Sequence, residues 1–317
     1  MTEFDLISRY FTRATPNALL GVGDDAALLK VSDGSVLAVS SDMLASGTHF
    51  FSDADPFLLG HKALAVNLSD MAAMGATPRW ATLAIALPDA DETWLEGLSA
   101  GFFALAQQYG VELVGGDTTR GPLNLCVTIL GEVPAQHALK RSGAQPGDEV
   151  WVSGTLGDAA LALAHLQGRI ALSVEEFAAC AQVLHQPQPR VALGLALRGI
   201  ASSAIDISDG LLADLGHILV ASQAAAEINL ISLPVSPAMR VYAASPLGQR
   251  CALSGGDDYE LCFTAAAARH AEIVGISARL GLPLTCIGKI VAGSGCIVHD
   301  ASGNRLNLEY GGYEHFR

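Results

Sequence analysis

The feature that most constrains this chain is a series of aspartates in short turns, most of them glycine-bearing, each directly beside an apolar run. These turns lie at residues 21–25, 40–42, 115–118, 206–210 and 255–258, and Asp70 adds a sixth acid within a run of helical pattern. Carboxylates gathered in a folded protein repel one another unless cations neutralise them. Mg²⁺ prefers oxygen ligands and is usually shared with substrate phosphates. The pattern therefore predicts a metal-dependent phosphate site.

Composition narrows the class of protein. A chain of 317 residues is long enough for two ordinary domains, and a hydrophobic fraction of 50% supplies their cores. Charged residues make up only 16%, which excludes a disordered chain or a coiled coil. The net charge of −14 argues against binding nucleic acid or an anionic membrane through a basic surface. A nucleotide ligand stays open, because bound Mg²⁺ can invert the local field.

The sequence also predicts a cytoplasmic location. Acidic rather than basic residues follow Met1, which is unlike a secretory signal, and no apolar stretch reaches the roughly 18 residues of a membrane span. The six cysteines form no C-x-x-C pair, and several stand in strand-like apolar surroundings. We expect them to be small buried hydrophobes in a reducing compartment.

Hydrophobic periodicity predicts an α/β or α+β fold in two domains, 1–137 and 138–317, that face one site. In the first domain we expect helices at 56–74 and 91–109, and strands at 36–40, 80–87, 111–114 and 125–131. Residues 115–117 would then form a turn between the last two strands. In the second domain we expect a strand at 149–153, helices within 156–198, a strand ending at Asp206, a helix from Gly210, and strands at 227–231, 261–264 and 284–290.

Each acidic segment also has an ordinary structural interpretation. Asp24 could bind a metal or stand in a solvated turn, and G-V-G-D-D-A lacks the third glycine of a dinucleotide fingerprint. Asp42 closes a strand where the hydroxyls of Ser40 and Ser41 could complete a metal's oxygen shell. Asp70 is costly to bury unpaired, so it requires either a metal or a salt bridge with Lys62.

The remaining candidates are similarly balanced. At residues 115–117, Gly116 lets phosphate approach backbone N–H groups and Asp117 could hold Mg²⁺, although a tight turn would have the same composition. Asp206 and Asp209 frame Ser208 before a helix, where Asp209 could instead be a simple N-cap. Asp257 repeats the glycine–aspartate pattern. Arg141 could clamp a phosphate or be a solvated linker charge, and His49 could contact substrate or be structural.

The sequence lacks the motifs of several other phosphate and hydrolytic enzymes. It has no G-x-x-x-x-G-K-[ST] P-loop, no H-R-D and D-F-G kinase set, no zinc-type Cys/His spacing and no G-x-S-x-G. An ATP-dependent enzyme with this sequence would therefore build its phosphate site from metals on aspartates.

Taken in order, the motifs resemble those of the thiamine-monophosphate kinase family, within the superfamily of aminoimidazole ribonucleotide synthetase and selenophosphate synthetase. The matching segments are G-V-G-D-D-A-A at 21–27, S-D-M-L at 41–44 with H-F at 49–50, K-A-L-A-V-N-L-S-D-M-A-A-M-G-A at 62–76, G-G-D-T-T at 115–119, I-S-D-G-L at 207–211, G-G-D-D-Y-E-L at 255–261 and G-G-Y-E-H-F at 311–316. At position 257 the family pattern more often has Glu, so the Asp side chain of this protein is one methylene shorter there.

The resemblance implies an N-terminal ATP- and Mg²⁺-binding domain that dimerises through its sheet, and a C-terminal α/β domain that closes over the site. It implies in-line transfer of the ATP γ-phosphoryl group to thiamine monophosphate, with Asp42, Asp117 and Asp209 central to catalysis. By matching position it implies Mg²⁺ ligands at Asp24, Ser40, Ser41, Asp42, Asp70, Asp117, Asp206 and Asp209, ATP contacts at Gly116, Asp117, Arg141 and Ser208, and substrate contacts at His49, Asp257 and Tyr313.

This chemistry fits a site without a general base. The acceptor phosphate oxygen is already ionised near neutral pH, so catalysis reduces to positioning and to neutralising crowded phosphates. Two alternatives stay open: another ATP-dependent synthetase of the superfamily, or a non-catalytic metal- or nucleotide-binding module. Selenophosphate synthetases typically carry a reactive Cys near a glycine-rich N-terminus, whereas the first cysteine here is Cys126 in an apolar strand.

Overall fold

The computed structural model describes residues 2–306, in two compact units that we treat separately. Unit 1 comprises Met1–Met71 and Ala76–Gln136, and unit 2 comprises Ala72–Gly75 and His137–Arg317. Tyr313, a predicted substrate contact, lies outside the described residues. Both units contain helices and strands, which confirms the α/β class. The functions assigned to domains 1–137 and 138–317 stay predictions.

Unit 1 consists of a four-stranded sheet and the helices that bury apolar side chains beside it. Its elements are α1 (Glu3–Leu6), β1 (Ser35–Ala45), α2 (Pro56–Ala73), β2 (Thr77–Leu87), α3 (Glu92–Tyr109), β3 (Glu112–Arg120) and β4 (Asn124–Pro134). The strand order is β1-β4-β2-β3, in which only the β2–β3 pair is parallel. Strands β1 and β3 are therefore the edges of the sheet.

Local sequence signals account for the two long helices of unit 1. Asp91 caps α3, because its Oδ1 accepts hydrogen bonds from the backbone N–H groups of Thr93 and Trp94 at 2.9 and 3.0 Å. Gly110 ends the same helix with φ +66°. A Cβ at Gly60 of α2 would lie 2.0 Å from the Leu98 carbonyl oxygen of α3, so glycine permits the two helices to approach closely. The helices predicted at 56–74 and 91–109 are confirmed.

The predicted turn at residues 115–117 is wrong. These residues lie inside β3, where Gly116 pairs with Leu83 of β2. Gly116 has φ +152°, and a Cβ there would lie 1.9 Å from the Leu83 carbonyl oxygen. The glycines therefore mark a close approach of two strands rather than a reversal of the chain. The Gly121 N–H still donates to the Leu87 carbonyl of β2 at 2.9 Å, and the chain reverses in residues 121–123 before β4, which runs antiparallel to β2.

Unit 2 is built on a six-stranded sheet of order β10-β7-β9-β5-β8-β6. Its elements are β5 (Asp148–Ser153), α4 (Asp158–Leu166), α5 (Val174–His185), α6 (Val191–Ala196), β6 (Ser203–Asp206), α7 (Leu211–Ser222), β7 (Ala225–Asn229), α8 (Pro237–Arg240), α9 (Pro246–Ser254), β8 (Leu261–Ala266), α10 (His270–Leu280), β9 (Leu284–Val291) and β10 (Gly295–His299). Buried residues of β5, α4 and α7 form much of its core. Strand β10 was not predicted from the sequence. None of the described helices is long and apolar enough to cross a lipid bilayer.

Candidate functional site

Unit 1 contains a cavity of about 650 Å³ that gathers three predicted site residues. Asp24, Gly116 and Asp117 line one part of it. Its other lining includes apolar side chains from the N-terminal segment and the sheet, namely Phe4, Ile7, Phe11, Val22, Leu83 and Leu113. Residues some ninety positions apart in the chain therefore meet around one space, and that space has both carboxylate oxygens and apolar walls.

The acidic part of this cavity has the features of a phosphate-binding surface. The β3 backbone at Gly116 forms part of the cavity wall beside Asp117, while the Leu83 carbonyl of β2 takes the place of the absent Gly116 side chain. The N–H of Asp25 donates to Asp24 Oδ1 at 3.0 Å, which ties that carboxylate to its own turn. Asp24 and Asp117 offer oxygen donors, the kind that Mg²⁺ prefers.

A second group of predicted ligands lies on β1 and α2. The hydroxyl of Ser40 donates a hydrogen bond to Asp70 Oδ2, so these two residues are in contact. Because side chains alternate along a strand, Asp42 lies on the same face of β1 as Ser40. Ser41 lies on the opposite face, where its hydroxyl bonds to that of Thr128 at 2.9 Å. A metal beside Ser40 and Asp42 would therefore not meet the Ser41 hydroxyl within this unit.

His49 lies in the turn that follows β1. Its Nδ1 accepts a hydrogen bond from the Ala45 N–H at 3.0 Å. In the neutral ring the proton must then be on Nε2, which makes that atom a donor. The turn thus presents an N–H group beyond the end of the strand that carries Asp42.

In unit 2, β6 ends at Asp206 and a short loop leads to α7. The Asp257 N–H donates to the Ser208 carbonyl at 2.9 Å, and the Tyr259 N–H donates to the Ile207 carbonyl at 2.8 Å. These bonds join the loop at 206–210 to the segment at 255–260. The structure therefore brings together Ser208, a predicted ATP contact, and Asp257, a predicted contact of thiamine monophosphate.

Asp209 is not the N-cap of α7, because Gly210 occupies that position and makes no side-chain cap. The N–H of Asp209 instead donates to Asp214, a residue the sequence analysis missed. Asp214 is only 3% exposed, and burial raises its pKa to about 7. The available signal is an acid within the apolar run L-L-A-D-L, which resembles Asp70 in its own apolar run.

Two further buried acids support the segment at 255–260. Asp258 accepts a hydrogen bond from the Gly157 N–H at 2.8 Å, and burial raises its pKa well above the usual value. Its neighbours Asp257 and Tyr259 have φ of +69° and +49°, a conformation that non-glycine residues rarely adopt. Backbone strain of this kind is typical of binding segments that their surroundings hold in place. Glu260, the second of these acids, forms an ion pair with Arg190.

Arg141 lies in a segment that runs beside β6. The carbonyl of the preceding residue, Lys140, accepts a hydrogen bond from the Ala204 N–H at 2.9 Å. The Arg141 carbonyl accepts one from the Ser222 hydroxyl at 3.3 Å, while the residue itself is exposed. Arg141 is therefore placed at the edge of the strand that ends at Asp206.

No group of three or more His, Cys, Asp or Glu side chains within residues 2–306 is arranged to hold a metal ion alone. The predicted ligands are nonetheless all carboxylates or hydroxyls, a donor set suited to Mg²⁺. Mg²⁺ commonly keeps waters and shares substrate phosphates, using only one or two carboxylates. The residues therefore fit ions whose coordination is completed by a nucleotide.

Comparison with known proteins decides the family. Residues 23–133 match the N-terminal domain, and residues 145–301 the C-terminal domain, of the family described as AIR synthase related protein. The thiamine-monophosphate kinase of Salmonella typhimurium is 48% identical over 318 residues, which covers 99% of this chain and 98% of that protein. The chain belongs to the thiamine-monophosphate kinase family.

Solved structures agree with this assignment. The crystal structure of thiamine-monophosphate kinase from Stenotrophomonas maltophilia is 49% identical, covers 96% of both chains and has a TM-score of 0.86. AaThiL complexed with AMPPCP and TMP is 31% identical, covers 90% of this chain and 89% of that one, and has a TM-score of 0.78. The thiamine-monophosphate kinase fold thus extends over both units of this chain.

Proposed function

We propose that this protein is a thiamine-monophosphate kinase, which transfers the γ-phosphoryl group of ATP to thiamine monophosphate and yields thiamine diphosphate and ADP. The observation that carries the proposal is 48% identity, over nearly the full length of both chains, to an enzyme of that name. The complex of AaThiL with AMPPCP and TMP supports the choice of a nucleotide and thiamine monophosphate as ligands. In unit 1, the cavity lined by Asp24, Gly116 and Asp117 would hold phosphates.

The proposal divides the site residues by the ligand that each would contact. Asp24, Ser40, Asp42, Asp70, Asp117, Asp206 and Asp209 would hold Mg²⁺, whereas the Ser41 hydroxyl, on the opposite face of β1, would not. Gly116, Asp117, Arg141 and Ser208 would contact ATP, and His49, Asp257 and Tyr313 would contact thiamine monophosphate. Bound Mg²⁺ would neutralise the charge that gathers where two anionic reactants meet. Asp42, Asp117 and Asp209 are the acids on which transfer would most depend.

The chain's own groups then act mainly by positioning. A phosphate in the cavity would lie beside the β3 backbone at Gly116, and the apolar walls of the same cavity suit the faces of a nucleobase. The Nε2–H of His49 could donate a hydrogen bond to the substrate. No side chain need remove a proton, because the attacking phosphate oxygen is ionised near neutral pH. In-line positioning and charge neutralisation are then the main sources of rate enhancement.

The proposal includes a homodimer formed through unit 1. Strand β1 is an edge of the sheet, and its outward face exposes Val39 by 57% and Met43 by 56%. An exposed apolar edge strand is a template for pairing with another chain, and a second copy would cover it. The proposal also places the protein in the cytoplasm, which the six cysteines support because all are free thiols.

The direct test is incubation with ATP, Mg²⁺ and a panel of phosphate monoesters, read by mass spectrometry. Selective formation of thiamine diphosphate is the expected result. ADP formation with a different phosphorylated product would favour another ATP-dependent synthetase. Nucleotide binding without turnover of any panel member would favour a non-catalytic module and contradict the proposal.

A further inference from the structure

Asp214 holds the loop that carries two predicted site residues. Its Oδ2 accepts hydrogen bonds from three consecutive backbone N–H groups, those of Ser208 and Asp209 at 3.0 Å and of Gly210 at 3.1 Å. The side chain belongs to the first turn of α7 and is 3% exposed, so water does not compete for these bonds. One buried carboxylate thus fixes three successive peptide groups.

These bonds differ from an ordinary helix cap. A cap satisfies the unpaired N–H groups of the helix's own first turn. The three N–H groups here belong to residues 208–210, before α7 begins at Leu211. Asp214 therefore reaches back past the helix start and organises the loop itself.

The same loop is held on its carbonyl side. The carbonyls of Ile207 and Ser208 accept hydrogen bonds from Tyr259 and Asp257 at 2.8 and 2.9 Å. Gly210, with φ +116°, leaves room for this arrangement, since a Cβ there would lie 2.7 Å from the Ser254 carbonyl carbon. With N–H groups and carbonyls both engaged, the directions in which the Ser208 and Asp209 side chains leave the backbone are set.

We infer that Asp214 is a positioning residue for the phosphoryl transfer: by holding the 208–210 backbone it sets the Asp209 carboxylate for a metal and Ser208 for the nucleotide. The inference rests on the proposed function for the roles of those two side chains. Loss of the carboxylate would leave three N–H groups without their acceptor and let the loop rotate. A neutral amide oxygen is a weaker acceptor than a carboxylate, so Asp214→Asn is expected to loosen the loop while keeping the side chain's shape.

The test compares Asp214→Asn with a matched control, Asp148→Asn. Asp148 is also buried in unit 2, at 5% exposure, and its Oδ2 accepts hydrogen bonds from the Gln145 N–H at 2.9 Å and the Ser202 hydroxyl at 2.6 Å. It lies at the start of β5 and contacts no predicted site residue through these bonds. Both variants are expected to lose thermal stability, so stability alone does not distinguish them.

Mn²⁺ affinity does distinguish them. Titration of each protein with Mn²⁺ in the presence of a non-hydrolysable ATP analogue, followed by electron paramagnetic resonance, reports metal binding without turnover. Affinity is expected to fall by about 10- to 100-fold in Asp214→Asn, the usual loss when support for a metal ligand is removed. Affinity is expected to stay at the wild-type value in Asp148→Asn. Equal affinities in the two variants would overturn the inference.

The folding of the variants and the binding of Mn²⁺ by the wild type also test the inference. If Asp214→Asn does not fold, Asp214→Glu retains the charge and is expected to bind Mn²⁺ less tightly than wild type. Failure of both to fold would make Asp214 a requirement of the fold and overturn the inference. Wild-type protein that binds Mn²⁺ and nucleotide but forms no thiamine diphosphate would contradict the proposed function, while the Asp214 comparison would still stand. No Mn²⁺ binding by the wild type would overturn both.

Discussion

Arg190 and Glu260 form a two-armed ion pair, in which Nε donates to Oε2 at 2.6 Å and Nη2 donates to Oε1. Glu260 is 5% exposed, and its carboxylate also accepts a hydrogen bond from the Ser153 hydroxyl. The Glu260 carbonyl accepts one from the Ile207 N–H at 2.8 Å. The pair therefore supports the point where the segment at 255–260 meets the end of β6.

Replacing Arg190 with Met is expected to destabilise the protein by about 3–5 kcal/mol, because it leaves the Glu260 carboxylate buried without its charged partner. The control is Arg269→Met, which breaks a pair with Glu272 whose side chains are both 44% exposed. That loss is expected to be at most about 1 kcal/mol. Urea unfolding measures both, and equal losses would contradict the support assigned to Arg190.

Gly116→Ala is expected to destabilise the protein by about 1–3 kcal/mol or more, because the new methyl group would force β3 away from the Leu83 carbonyl of β2. The adjacent Gly115→Ala is a matched control. Its Cβ would meet only Thr82 Cγ2, at 3.8 Å, so it should change the unfolding free energy by less than about 0.5 kcal/mol. Thermal unfolding of the two variants checks the difference. Similar unfolding midpoints would show that the close approach of β2 does not prevent a side chain at position 116.

Glu132 is expected to make part of the free energy of unfolding depend on pH. Burial raises its pKa, but hydrogen bonds from the Ser32 N–H and hydroxyl, together with Arg79, outweigh this and hold the pKa below the ordinary 4.5. A lowered pKa stabilises the fold above the unfolded value and loses that effect as pH falls through the folded value. Glu132→Gln should therefore cost about 1–3 kcal/mol near neutral pH.

The difference between wild type and Glu132→Gln should then shrink as the pH falls below 4.5. Urea unfolding over a pH series measures it. Glu92→Gln is the control, because its pair with Arg9 has both side chains more than half exposed. A constant difference for Glu132→Gln at every pH would refute the assignment.

Asp42→Asn and Asp117→Asn are expected to reduce turnover by at least about 100-fold while the thermal midpoint stays near that of wild type, since each removes a proposed oxygen ligand for Mg²⁺. Asp33→Asn, in an exposed turn before β1, is the control and should retain activity. Product is measured as thiamine diphosphate across a Mg²⁺ titration. Wild-type rates for both variants would contradict the metal roles.

Val39→Lys combined with Met43→Lys is expected to shift the protein from dimer to monomer, because it puts charge on the exposed face of the edge strand β1. Sedimentation velocity gives the oligomeric state. Val174→Lys, at an exposed position of α5 in unit 2, is the control and should leave it unchanged. A wild-type protein that sediments as a monomer would refute the proposed dimer.

Much of this protein can be predicted from local sequence. Asp91 and Gly110 bound α3 because an N-cap acceptor and a left-handed glycine act within one turn of the helix. The ordered motifs were sufficient to predict the family, and the hydrophobic periodicity to predict an α/β protein. These features depend on residues close together in the chain.

The errors and omissions have a common cause. Residues 115–117 have the composition of a turn, yet they lie in β3 because β2 pairs beside them. The alternation that separates Ser41 from Ser40 and Asp42 matters only once one face of β1 meets Asp70. A pattern shows what a segment favours locally, and its neighbours in the fold decide between alternatives of similar local energy.

The sequence by itself determined which oxygen-bearing side chains this protein has, the helices that local caps delimit, and the family to which it belongs. Only the tertiary structure decided that Asp24 and Asp117 line one cavity, that Asp214 holds the 208–210 loop, and that Arg190 pairs with Glu260. Arg190 and Glu260 are seventy residues apart in the chain. Their free energy of interaction exists only after the chain between them has folded, so no local pattern encodes it.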